Sequence, residues 1–151
     1  MAALQAALRE VSGLGVLFSS AAAERLGLHP TDLECLGYLA DGPRSAGELA
    51  SATGLTTGAI TGAIDRLERS GCARREPDPS DRRKVLVRAT PEAAARAAPV
   101  FGPMAAATAA VLAGYSDAEL ELLLGFLHKS RDATVGVLAA LRQGGAGKSP
   151  A

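Results

Sequence analysis

The residues best suited to chemistry in this 151-residue chain stand together at Asp81-Arg82-Arg83-Lys84. Three consecutive cations on a protruding loop suit phosphates and the negative potential of a narrow DNA minor groove. Asp81 precedes Arg83 by two residues, where its carboxylate could fix the guanidinium through a bidentate pair. Other reactive side chains are scarce. The thiols are Cys35 and Cys72 and the imidazoles His29 and His128, and no spacing pairs any of them as nucleophile and base. They are too few and too scattered for a zinc cluster or a disulfide framework. No phosphate-cradling glycine loop and no helical metal motif is present in the sequence. Hence no catalytic residue, metal or cofactor is expected. Each cysteine reads as a small buried apolar group, with a redox switch as the alternative.

Charge is placed unevenly. The net charge is zero, yet residues 56–90 hold eight basic and five acidic side chains, whereas residues 1–55 hold three and six. A local basic segment is the footprint of a nucleic-acid contact rather than of a wholly basic protein.

The elements that must position this segment are marked by their starts. Thr31-Asp32-Leu33-Glu34, Ser45-Ala46-Gly47-Glu48 and Ser116-Asp117-Ala118-Glu119 match the capping box. Thr90-Pro91 is an N-cap followed by proline at the first helical position, and Thr56 opens a further helix after Gly54. Six helices are predicted, at about 2–27, 31–41, 45–53, 56–70, 91–113 and 116–142. Between Gly71 and Thr90 two short runs, 72–76 and 84–89, flank the turn formers Pro77-Asp78-Pro79-Ser80-Asp81, which predicts a hairpin with a charged tip.

The third and fourth helices are joined by Gly54 and Leu55 alone. Ala50 is small where the helices cross, Gly54 supplies a left-handed turn four residues on, and Ile60 plugs the space between them. This is helix-turn-helix spacing, and its second helix can enter the major groove. On that helix Ile60, Ala63, Ile64 and Leu67 form one apolar stripe. The opposite face holds Gly58, Gly62, Asp65 and Arg69, flanked by Thr61 and Arg66. Two glycines on an exposed helical face cost roughly 1 kcal/mol each. One explanation is close approach of the helix to DNA, with Thr57 and Thr61 on phosphates or base edges.

From the first helix to Arg142 the chain resembles the MarR family of bacterial transcription regulators. The residues that carry the resemblance are Leu49-Ala50, Gly54-Leu55, Ile60-Thr61, Asp65-Arg66-Leu67-Glu68, Gly71 and the wing segment Asp78-Pro79-Ser80-Asp81-Arg82-Arg83. Asp81 and Arg83 match that family's Asp-x-Arg wing signature. The resemblance implies a mainly α fold, a winged helix-turn-helix with a two- to three-stranded β wing, flanked by N- and C-terminal dimerisation helices. It implies a homodimeric regulator, in the commonest case a repressor, on a pseudo-palindromic double-stranded operator. A small aromatic or acidic effector, or an oxidant, would lower its DNA affinity. By position, Thr56, Thr57, Thr61 and Arg66 would face the major groove, and Arg83 would enter the minor groove. Gly62 departs from the pattern, because many members carry arginine or another polar side chain there. The family's cysteine oxidant sensors use a thiol in the first helix, and residues 1–28 contain none.

The domains expected are a dimerisation helix (1–28), the winged core (29–90), C-terminal dimerisation helices (91–142) and a disordered tail (143–151). The Leu-, Val- and Ala-rich terminal helices exceed what so small a core can cover, which itself asks for a partner chain. The expected DNA contacts are Ser45, Thr56, Thr57, Gly58, Thr61, Gly62, Arg66, Asp81, Arg82, Arg83 and Lys84. An effector pocket lined by Phe18, His29, Tyr38 and Phe101 competes with their ordinary assignment as core or helix-end residues. Met1-Ala2-Ala3-Leu4-Gln5 has no secretory pattern, and no apolar run approaches membrane-span length. A cytoplasmic protein without membrane contact is expected. The alternatives weighed are a helical interaction protein that no longer binds DNA, which would leave the basic tip without purpose, and a small cytosolic enzyme.

Overall fold

The computed structural model describes residues 1–81 and 83–145; Arg82 and the stretch 146–151 lie outside the described residues. Six helices and two strands follow in order: α1 (Ala2–Leu26), α2 (Pro30–Ala40), α3 (Ala46–Thr53), α4 (Thr57–Arg69), β1 (Ala73–Pro77), β2 (Val85–Ala89), α5 (Pro91–Leu112) and α6 (Asp117–Gly145). By packing, the chain divides into two compact units, Met1–Met104 and Ala105–Ala151.

The first unit is built on α2, α3, α4 and the hairpin. Leu49, Ile60, Ile64, Leu67, Val87, Cys35 and Cys72 are its largest fully buried side chains. Each large aliphatic residue among them contributes about 1.5–3 kcal/mol by leaving water. The strands pair antiparallel, in a register that runs from Ala73 opposite Ala89 to Pro77 opposite Val85. Arg44 adds a third, one-residue rung. Its N–H donates to Val87 O at 3.0 Å, and Val87 N–H donates to Arg44 O at 2.8 Å. At the base of the hairpin, Thr90 N–H donates to Cys72 O at 3.0 Å. The Thr90 hydroxyl donates to Gly71 O at 2.7 Å. Gly71 itself sits at φ 69°, which a side chain would resist.

The helix starts obey local chemistry, with one correction. The boxes at Ser45/Glu48 and Ser116/Glu119 form, and Thr90 caps α5 by accepting from Ala93 N–H at 3.1 Å. Thr31 does not cap α2. His29 is the N-cap, its Nδ1 accepts from Thr31 N–H at 3.3 Å, and Pro30 occupies the first turn. The ring of Pro30 presets the helical φ one residue before Thr31, so the expected box has no orphan donor left to satisfy.

A second, smaller cluster joins α1 to the start of α5. Ala22, Ala23 and Leu33 are buried there beside Phe18, Leu26, Val100 and Phe101. α5 corrects a further expectation, because it is long and apolar enough in composition to cross a membrane. Its apolar character is largely alanine, Ala93 is buried in the main core, and Pro99 and Pro103 interrupt its hydrogen bonding.

In the second unit, α6 extends to Gly145, three residues into the expected tail. Its Leu122, Leu124, Leu127, Val135, Val137 and Leu141 are exposed in the single chain. On α1, Leu4, Val11, Leu14, Val16 and Leu17 are exposed in the same way.

Candidate nucleic-acid interface

α4 begins at Thr56, whose extended backbone and hydroxyl, accepting from Ala59 N–H at 3.3 Å, cap the helix. Gly54, at φ 68°, turns the chain just before it and donates its N–H to Ala50 O at 2.8 Å. Ile60, Ala63, Ile64 and Leu67 are all buried, as the stripe predicts. The outward face carries little. Thr57, Gly58 and Thr61 are exposed. Thr61 donates its hydroxyl proton to Thr57 O at 2.9 Å, so outward it can only accept, beside its methyl group. A Cβ built on Gly58 would meet nothing within 4 Å, and one on Gly62 would meet only Arg66 Nη1, at 3.5 Å. Nothing inside the described chain therefore requires either residue to be glycine.

Ion pairs hold α4 on two sides. Arg75 of β1 donates to Asp65 at 2.7 Å and also pairs with Glu68, which accepts the Arg75 backbone N–H at 2.8 Å. On the other side Arg66 forks onto Asp32 of α2. Nη2 lies 2.6 Å from Oδ1 and Nε 2.9 Å from Oδ2. Asp32 is the buried charged residue among those described, at 2% exposure. The Arg66 guanidinium, expected to face DNA, is paired with Asp32 in the chain, and 42% of its side chain stays exposed. The signal for this pair was in the sequence. Asp32 opens the stripe Asp32, Cys35, Leu36, Leu39 at i, i+3, i+4, i+7, and a carboxylate on a buried stripe needs a cation.

The wing tip is tied by its own acids. Asp78 Oδ1 accepts from Ser80 N–H at 2.7 Å and from the Ser80 hydroxyl at 2.6 Å. These bonds hold the Asp78 carboxyl below its usual range, so it stays ionised. Lys84 and Asp78 close the turn through Asp78 N–H to Lys84 O at 3.0 Å and Lys84 N–H to Asp81 O at 2.8 Å. Asp81 does hold Arg83, but not by the expected bidentate fork. One oxygen, Oδ1, accepts both the Arg83 backbone N–H at 3.1 Å and Nε at 3.3 Å. The Arg83 side chain remains 92% exposed, projecting from an anchored base.

The other expected contacts separate. Ser45 gives its hydroxyl and backbone protons to Glu48 Oε2, each at 2.7 Å, and serves as a helix cap. Arg82 lies outside the described residues. Of the proposed effector residues, Phe18 and Phe101 stack edge to face at 5.5 Å, His29 caps α2, and Tyr38 packs on the core with its hydroxyl 3.3 Å from Ala52 O. Phe101 alone of the four lines the large cavity of the first unit, about 1290 Å³ between α1, α2, β2 and the start of α5. Its walls carry Ser12, Ser19, Ser20, Thr31 and Glu34, together with Arg74 and Arg88, which both pair with Glu76. These residues are brought together by tertiary packing and leave no local signature. Both cysteines are buried, and burial, seconded by Glu34 and Asp32, pushes the Cys35 thiol up to about 11. Such a thiol is not a ready nucleophile at neutral pH.

The sequence model of the MarR family matches residues 26–84, which span α2 to the wing tip. An HTH-type transcriptional regulator of Bacillus subtilis, YcgE, is 40% identical over 136 residues, 89% of this chain and 88% of its own length. A MarR family protein from Bacillus stearothermophilus superposes with a TM-score of 0.66 at 23% identity, covering 89% of this chain and 94% of that one. A point mutant of MepR from S. aureus, solved bound to an oligodeoxyribonucleotide, superposes with a TM-score of 0.57 at 18% identity, covering 87% of this chain and 97% of that one. A winged helix-turn-helix whose caps, buried stripe and anchored wing follow from its own residues, joined to this similarity, places the chain in the MarR family of DNA-binding transcriptional regulators, which are not enzymes.

Proposed function

We propose that this regulator acts in the cytoplasm as a homodimeric repressor on a pseudo-palindromic operator, and that a small aromatic or acidic compound releases it. The observation that carries the DNA reading is Arg83, almost fully exposed yet held at its base by Asp81. An arginine prepared in this way enters a narrow minor groove at little entropic cost. α4 lies in the adjacent major groove, with its glycine face closest to the bases and Thr56, Thr57 and Thr61 on phosphates or base edges. The DNA-bound MepR structure supports this use of the fold. The exposed leucines and valines of α1 and α6 support the dimer, because a soluble monomer rarely leaves so much apolar surface to water. A two-fold dimer spaces its half-sites by about 34–36 Å or a multiple of that.

The cavity beside α2 suits the effector. Arg74 and Arg88 line the cavity with Ser12, Ser19 and Ser20, and both share Glu76, at 3.5 and 2.7 Å, so an anionic effector would take these cations from that carboxylate. We take a carboxylate or phenolate on an aromatic body as its ligand, the arginines meeting the anion and the apolar wall the ring. A mobility-shift series with the DNA upstream of the chain's own coding sequence tests the proposal. A shift that weakens steeply with salt, is larger for this DNA than for an unrelated duplex, and is reversed by small acids or phenols is expected. Arg83→Ala should lose more affinity than Arg82→Ala. Equal shifts on unrelated DNA, or none at low salt, would refute the proposal.

A further inference from the structure

Among the cations of the winged core, Arg66 is held in an unusual way. It lies on α4, yet its Nε and Nη2 both donate to a carboxylate that is almost fully buried on a different helix, at 2.9 and 2.6 Å. A fork of this kind has one geometry. Lysine could satisfy the charge but could not reproduce the two parallel bonds. Asp32 is otherwise packed in a helix whose neighbouring buried positions are Leu33, Cys35, Leu36 and Leu39, so it has no solvent to fall back on. The pair joins residues 34 positions apart and, with the buried stripe Ile60, Ala63, Ile64 and Leu67 and the Arg75 pairs on the other side, restrains the rotation of α4 about its own axis. That rotation decides whether Thr57, Gly58 and Thr61 face DNA, since 100° separates one helical residue from the next.

We infer that Asp32 and Arg66 are positioning residues for operator recognition: the fork sets the azimuth of the recognition helix, and Arg66 does not serve as a phosphate contact. This rests on the reading of α4 as the helix that enters the major groove. A dependence of specific recognition on a carboxylate follows, although electrostatics alone would have a carboxylate near DNA oppose binding.

The test uses the full chain and a duplex selected by the wild-type protein from a random-sequence library, with an unrelated duplex of equal length beside it. Affinities are measured across a salt series for Asp32→Asn, Arg66→Lys and Arg66→Gln. Asp32→Asn removes a negative charge and leaves Arg66 partly exposed, so the fold is least disturbed in that variant, and thermal melting checks it. The expected result is a tenfold or greater loss on the selected duplex for Asp32→Asn, with the unrelated duplex bound at least as well as before. The slope of log K against log salt should be unchanged in all three variants, and Arg66→Lys should not restore affinity. The inference is overturned if Asp32→Asn binds the selected duplex as well as or better than wild type. It is equally overturned if Arg66→Gln flattens the slope by about 0.9 per protomer, the mark of a lost phosphate contact. If the wild-type protein selects no duplex at all, the reading of α4 fails first and the inference falls with it.

Discussion

Replacing Gly58 and Gly62 together by alanine sets folding stability against DNA binding. Neither glycine has a positive φ, and a Cβ finds open space at 58 and ordinary contact with Arg66 Nη1 at 62. The folded chain therefore accepts both methyls without strain. Helix propensity favours alanine over glycine by about 0.8–1.0 kcal/mol in a helix interior. Gly62 lies well inside α4 and should return nearly that amount, whereas Gly58, at its second residue, returns less. The sum is about 1–2 kcal/mol of added stability, and a rise in Tm of roughly 2–4 °C per kcal/mol is expected for a chain of this length. DNA binding should move the other way. Each methyl pushes the helix face outward by about 1.5 Å, enough to break contacts that depend on the backbone lying against the groove. A tenfold loss of affinity, about 1.4 kcal/mol, is the least that close approach implies. Chemical denaturation and fluorescence anisotropy on the same preparation give both numbers. A more stable double variant that binds its operator as tightly as wild type would show that the glycines have nothing to do with DNA.

Three further outcomes follow from the geometry. Gly54→Ala forces a side chain into the left-handed turn between α3 and α4 and should cost about 1–2 kcal/mol, read from urea denaturation. Leu49→Ala, at a fully buried position, should cost about 2–5 kcal/mol by the same measurement. The Asp78 turn should persist until pH falls below the ordinary carboxylate range. Because its folded pKa is depressed, the stabilisation it gives is present above the unfolded value and lost as pH falls through the folded one. The Ser80 amide shift, followed by NMR, should titrate with that midpoint, and a midpoint at or above the ordinary value would contradict the bonding described.

Much of the fold is legible in the residues because helix starts are local events. Ser45 with Glu48, Thr56 and Ser116 with Glu119 each act within three residues, and the helices begin where those side chains say. Thr31 misleads for the same reason, since His29 and Pro30 settle the cap first. The stripe on α4 is equally plain, because a 3.6-residue period needs no knowledge of its partner. What stays hidden depends on separation. The pairing of Arg66 with Asp32, on another helix, is one such case. Arg75 reads as one more basic residue until Asp65 and Glu68 are seen to hold it. The cavity is assembled from α1, α2, β2 and α5, and no single segment announces it.

The two hydrogen bonds by which Thr90 closes the base of the hairpin have a consequence for how such a protein diversifies. They fix the ends of the segment from Gly71 to Thr90, so a change of length or charge between Asp78 and Lys84 is not transmitted into the core. A loop whose ends are already pinned tolerates insertion at small entropic cost. The wing tip can thus drift through many sequences while α4 stays where it is, and a lineage built on this chain could change its wing without rebuilding its core.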